Sequence, residues 1–179
     1  MPFNKLIPTC ACTKQNLRYK PKEPKSPELK CHADENERIV FLEIDDGSNP
    51  ESCIRQYCNI EGPNEPLCDI LIFYNVSTNK DGEIIHNKIL CLVEIKGKDI
   101  KHSVEQIVNT YKAINSKFID RSSDYYPFKW ACHVLSKRIG SAPKNIKKYK
   151  MELIKSLHTR NCDISDKEDI TPFIRCCVK

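Results

Sequence analysis

Two runs, residues 69–76 and 88–96, are apolar at nearly every position. Side chains alternate sides along a strand, so neither run has a polar face to turn to water. Strands of this kind sit centrally in a sheet that is covered on both sides. Between them stands Asp81-Gly82, the strongest short-range signal for a tight hairpin turn. The pair predicts an antiparallel hairpin in the middle of a covered sheet.

The flanking pattern supplies the rest of the domain. Residues 38–44 alternate as a strand, with Ile39, Phe41 and Glu43 on one side and Val40, Leu42 and Ile44 on the other. A short helix is an option near residues 51–58. Residues 102–118 form an amphipathic helix, with Val104, Ile107, Val108, Tyr111, Ile114 and Phe118 at spacings of three and four. Residues 129–135 read as another strand. Ser141-Ala142-Pro143 reads as a helix start, followed by Ile146, Tyr149, Leu153, Ile154 and Leu157 on one face. The order β, β, β, α, β, α predicts an α/β domain with a central mixed β-sheet flanked by helices. Pro21, Pro24 and Pro27 among lysines forbid a regular helix. Residues 1–30 are therefore expected to be a basic N-terminal arm, and residues 31–179 a single domain with a basic C-terminal helix. A chain of 179 residues is long enough for one sizeable core.

Three polar residues stand where the apolar pattern wants none. Asp69 opens one central strand; Glu94 and Lys96 close the other. If Asp81-Gly82 is a two-residue turn, Lys80 opposes Glu83, and counting back residue for residue puts Asp69 opposite Glu94. Directly opposed residues share a face, and Lys96, two residues on, lies on that face too. The register thus gathers two carboxylates and one ammonium at one end of the hairpin. Two carboxylates this close repel unless a proton or cation lies between them. Mg²⁺ suits such a place, because it takes oxygen ligands and is usually held by one or two carboxylates together with water and phosphate.

Asp69, then Glu94-Ile95-Lys96 at the end of an apolar strand, resembles the PD-(D/E)xK nuclease superfamily, the restriction-endonuclease-like fold. The likeness spans roughly residues 36–136. It implies a restriction-endonuclease-like core and a metal-dependent nuclease that hydrolyses phosphodiester bonds. DNA comes ahead of RNA, and an endonuclease ahead of an exonuclease, with a role in defence or repair. It implies Asp69, Glu94 and the Ile95 carbonyl as holders of Mg²⁺ or Mn²⁺. Lys96 then contacts the attacking water or the phosphate, and a 5′-phosphate and a 3′-hydroxyl result. Gln106, ten residues after Lys96, stands where a Gln often joins the site. Gln106 and Tyr111 are one residue further apart than the Gln-x-x-x-Tyr of one branch.

Charge is distributed unevenly. Residues 31–70 hold ten acids and two bases, while both ends of the chain are basic. Lys137, Arg138, Lys144, Lys147 and Lys148 fall in a run with no acid, and beside a phosphodiesterase site they become candidate phosphate contacts. The odd cysteine count and the lack of an apolar leader fit a reduced, cytoplasmic protein. Cys68, Cys91 and Cys132 read as small core hydrophobes. Cys10, Cys12, Cys31, His32, Cys53 and Cys58 have ligand types suited to structural zinc at non-standard spacings. Some relatives in the family that the chain resembles carry an iron–sulfur cluster on terminal cysteines, but Cys162, Cys176 and Cys177 lack the regular spacing of such sites. No run approaches the roughly 20 apolar residues of a membrane helix. A homodimer would supply the two sites that cutting both strands requires. The rival readings are a non-catalytic module that binds nucleic acid or protein, with or without zinc, and an inhibitor whose acidic segment mimics DNA.

Overall fold

The structure is a computed structural model. It describes residues 12–13, 16–21, 26–44, 55–56, 65–96, 99–119, 128–137 and 143–178. Four strands come first: β1 (Cys12–Thr13), β2 (Asn16–Tyr19), β3 (Leu29–His32) and β4 (Glu37–Glu43). The hairpin strands follow as β5 (Ile70–Lys80) and β6 (Glu83–Lys96). Then come α1 (Ile100–Ile119), β7 (Lys129–Ser136), α2 (Pro143–Leu157), β8 (Cys162–Ser165) and α3 (Thr171–Val178).

The main sheet runs β1-β4-β5-β6-β7-β8. Its first part is antiparallel and its last two pairings are parallel. The protein is thus α/β with a mixed central sheet. The turn at the hairpin has the expected two residues, with Lys80 opposite Glu83. Asp81 (φ 55°) and Gly82 (φ 87°) are both left-handed, as a type I′ turn requires. The hairpin is longer than its apolar run, because the turn keeps residues 78–86 paired although they are exposed.

The units β6–α1–β7 and β7–α2–β8 step along the sheet in the same direction. Right-handed crossovers therefore put α1 and α2 on the same face. That face packs Leu42, Leu71, Leu90, Leu92, Cys132 and Val134 against Val104, Ile107, Tyr111 and Ile114 of α1 and Leu153 and Leu157 of α2. The opposite face packs Ile70, Ile72, Val93, Ile95, Ala131 and Leu135 against Ile174 and Cys177 of α3. Helices on both sides explain why β5 and β6 carry no polar face.

Several boundaries move. The helix expected over 102–118 gains a residue or two at each end. Near residues 51–58 only Arg55 and Gln56 are described, and they are helical. Ser141 and Ala142 lie outside the described residues, and α2 does begin at Pro143. β8 and α3 were not foreseen: four and eight residues are too short for a period to stand out. The division at residue 30 falls inside β3, which pairs with β2 and buries Leu29 and Cys31 completely.

Candidate metal and phosphate site

The register that brings the polar residues together is the one counted from the turn. Ile70 opposes Val93, so Asp69 and Glu94 are the next pair along. The backbone leaves the ladder there, and side chains take over its hydrogen bonds. The Asp69 N–H donates to Glu94 Oε2 at 3.1 Å. The Ile95 N–H donates to Asp69 Oδ2 at 2.7 Å. The Ile44 N–H, at the end of β4, donates to the Asp69 carbonyl at 2.8 Å. Each carboxylate therefore binds the other strand's backbone, which holds the two acid groups side by side.

Glu94 is fully buried and Asp69 half-buried. Lys96 Nζ lies 3.3 Å from Glu94 Oε1. That contact is an offset ion pair, since Oε1 has no aligned hydrogen-bond partner among the described residues. Burial, and then the charge of Asp69, push the Glu94 carboxyl well above the usual carboxylate range, and Lys96 opposes them. Among the described residues two acids thus stand beside one ammonium, and with both ionised the negative charge would exceed the positive. The Ile95 N–H points toward Asp69, and in an extended strand the carbonyl of the same residue projects to the same edge. The site can therefore present two carboxylates and one main-chain carbonyl, a donor set of hard oxygens.

Gln106 is 3% exposed, and its face of α1 is turned to the sheet. It falls off the apolar stripe, yet it is buried. Its Nε2 donates to the Leu67 carbonyl at 2.7 Å, while Oε1 is buried with no hydrogen-bond partner among the described residues. Thr110, one turn further on, was missed. Its hydroxyl accepts the Cys68 N–H at 2.9 Å. Ser103, Gln106 and Thr110 make a second, polar stripe at spacings of three and four, the signal that could have found them.

The basic set is only partly assembled. Lys147 and Lys148 are exposed on α2. Lys144 lies in the first turn of that helix, and Arg138 lies outside the described residues. Lys137 is ion-paired with Glu168 at 3.4 Å, and the neighbouring Lys150 with Asp163 at 3.6 Å. The run contains no acid of its own, but β8 and the segment before α3 bring acids to it.

Cys31, Cys68, Cys91, Cys132, Cys162, Cys176 and Cys177 are free thiols, and Cys68, Cys91 and Cys132 are fully buried, as their apolar surroundings predict. Of the zinc set, Cys10, Cys53 and Cys58 lie outside the described residues. Cys31 is packed in the core beside α3, where burial pushes its thiol up to about 12. Cys162 and Cys177 lie on opposite faces of the sheet and Cys176 is exposed. Among the described residues no group of three or more His, Cys, Asp or Glu is placed to hold a metal ion. No helix among the described residues is long and apolar enough to cross a membrane. Comparison with family models, with curated proteins and with solved structures yields no match.

Proposed function

We propose that the chain is a metal-dependent phosphodiesterase of the PD-(D/E)xK type, acting on nucleic acid, DNA ahead of RNA. The observation that carries this reading is the cluster at the hairpin end. Asp69 and Glu94 bind each other's backbone, Lys96 lies 3.3 Å from Glu94, and one buried Glu94 oxygen has no hydrogen bond among the described residues. A surface salt-bridge cluster would not bury an unbalanced acid, because that arrangement is costly without a cation.

The donor set fits Mg²⁺ or Mn²⁺, and Asp69, Glu94 and the Ile95 carbonyl would hold the ion. When bound, such an ion polarises a phosphoryl oxygen and lowers the pKa of a coordinated water. Asp69 and Glu94 are pre-set for that task by their bonds to the Ile95 and Asp69 N–H groups. Lys96 extends from the same face as Glu94 and is 27% exposed, so its ammonium can meet a phosphate from outside or orient a water. Lys147 and Lys148, exposed and without an acid of their own run, supply backbone attraction. Lys137 contributes less, because Glu168 already offsets its charge.

The test is cleavage of plasmid, single-stranded DNA and RNA with Mg²⁺ or Mn²⁺ and with EDTA, alongside Asp69→Ala and Lys96→Ala. Cleavage that needs the metal and falls about a hundredfold or more in each variant is expected, the scale on which one positioned charged group contributes. Equal cleavage by wild type and both variants would sink the assignment. Retained binding to DNA with no cleavage under any condition would leave the non-catalytic module.

A further inference from the structure

Helix α1 grips a single peptide unit next to the site. Gln106 Nε2 donates to the Leu67 carbonyl at 2.7 Å, and the Cys68 N–H donates to Thr110 Oγ1 at 2.9 Å. Those two groups are the two ends of one peptide plane, the plane that joins Leu67 to Cys68. A peptide plane is rigid, so holding both ends fixes how it is turned. Gln106 and Thr110 are four residues apart and so adjacent on one helix face; they are 3% and 1% exposed. Thr110 is itself aimed. Its hydroxyl donates back to the Gln106 carbonyl at 2.8 Å, which narrows its rotamers and leaves its lone pairs to receive the Cys68 N–H.

The ladder of β5 begins only at Ile70. Residues 67–69 are thus outside that ladder: the Ile44 N–H holds the Asp69 carbonyl from β4, and α1 holds the peptide two units earlier in the chain. The Cys68–Asp69 peptide follows the gripped plane directly. Its N–H reaches Glu94 Oε2, and the Asp69 carboxylate reaches the Ile95 N–H. A turn of the gripped plane would swing Asp69 away from both. We infer that Thr110, with Gln106, is a positioning residue for the candidate metal centre: it sets the direction in which Asp69 enters the site. This role rests on the metal reading given above.

The test uses the full chain and Mn²⁺ alone as probe, with binding read by the loss of the free-ion spectrum. Thr110→Val keeps the shape and removes the hydroxyl, and Thr110→Ala removes it while favouring the helix. Thr110→Ser restores it. Leu153→Val loosens the same core face without touching a polar group. Thr110→Val and Thr110→Ala are expected to bind Mn²⁺ about 10-fold more weakly or worse, the scale for residues that orient metal ligands, and Thr110→Ser within about twofold of wild type. Leu153→Val should bind as wild type does. Wild-type affinity in the hydroxyl-free variants, or an equal loss in Leu153→Val, would overturn the positioning role and leave the metal reading standing. A wild-type chain that binds no Mn²⁺ would overturn both.

Discussion

Glu37 and Glu94 are carboxylates buried on opposite faces of the same sheet, and their surroundings treat them in opposite ways. Glu37 is saturated. Arg175 reaches it with two parallel bonds of 2.8 Å, the Tyr74 hydroxyl donates to Oε1, and the Asp34 N–H donates to Oε2 at 2.8 Å. Burial alone would raise its carboxyl, but the Arg175 and Tyr74 bonds outweigh it and bring it down to about 2. Glu94 has one backbone donor, an offset lysine and an acid for a neighbour, and its carboxyl is pushed up. The first arrangement is complete without any further group. The second, among the described residues, leaves one oxygen without a hydrogen bond, open to a proton or a cation. That contrast separates a carboxylate that holds a fold together from the one proposed above to hold a metal ion.

The largest expected effect comes from breaking the complete one. Arg175→Ala would strand a charge that is 5% exposed, and α3 would lose its tie to β4. About 3 kcal/mol of stability should go, the low end of the range for a broken buried pair, because Arg175 is itself 39% exposed. Urea unfolding would show it. The same variant should change the acid limb. A carboxyl whose folded value is lowered contributes stability that is present above its ordinary 4.5 and is lost as pH falls through about 2. Arg175→Ala should flatten that part of the pH–stability curve. An unchanged curve would remove Glu37 from its role as the saturated case.

The incomplete carboxylate should respond to metal. Wild type is expected to gain about 2.7 kcal/mol with Mg²⁺ or Mn²⁺ at a hundred times its Kd, measured as a rise in Tm. Glu94→Gln should abolish that gain. In EDTA it should do the reverse of Arg175→Ala and stabilise the protein at neutral pH, because a carboxyl held above its ordinary range weakens the fold there and an amide carries no such cost. A Glu94→Gln protein less stable than wild type in EDTA would place Glu94 beside Glu37, as a structural ion.

How much of this was legible follows from the range of each interaction. The hairpin register was readable, because turn chemistry and alternation are local and together leave one pairing. It carried Asp69, Glu94 and Lys96 to one place before any coordinates. Gln106 was readable as a candidate through the resemblance, but its bond to the Leu67 carbonyl was not, because that contact joins residues 39 apart and depends on how α1 lies on the sheet. The Glu37–Arg175 pair spans 138 residues and depends on α3, an element too short to see. The acids that meet Lys137 and Lys150 also come from segments later in the chain, so an acid-free run did not mean acid-free surroundings.

The smallest effect sharpens the comparison most finely. Tyr74→Phe keeps the ring, which is 1% exposed among Ile39, Ile72 and Ile89, and removes only the hydroxyl that donates to Glu37. That phenol is held in its neutral, donating form, since burial and the adjacent carboxylate both raise its pKa. Three donor contacts to Glu37 would remain, two from Arg175 and one from the Asp34 N–H. The loss should therefore be about 1 kcal/mol, the net worth of one hydrogen bond. It should appear in urea as a lower midpoint with an unchanged slope. A loss as large as that of Arg175→Ala would mean that Arg175 alone does not satisfy the carboxylate. Glu37 would then stand closer to Glu94 than its hydrogen bonds imply, and the difference between a complete and an incomplete acid would be one of degree.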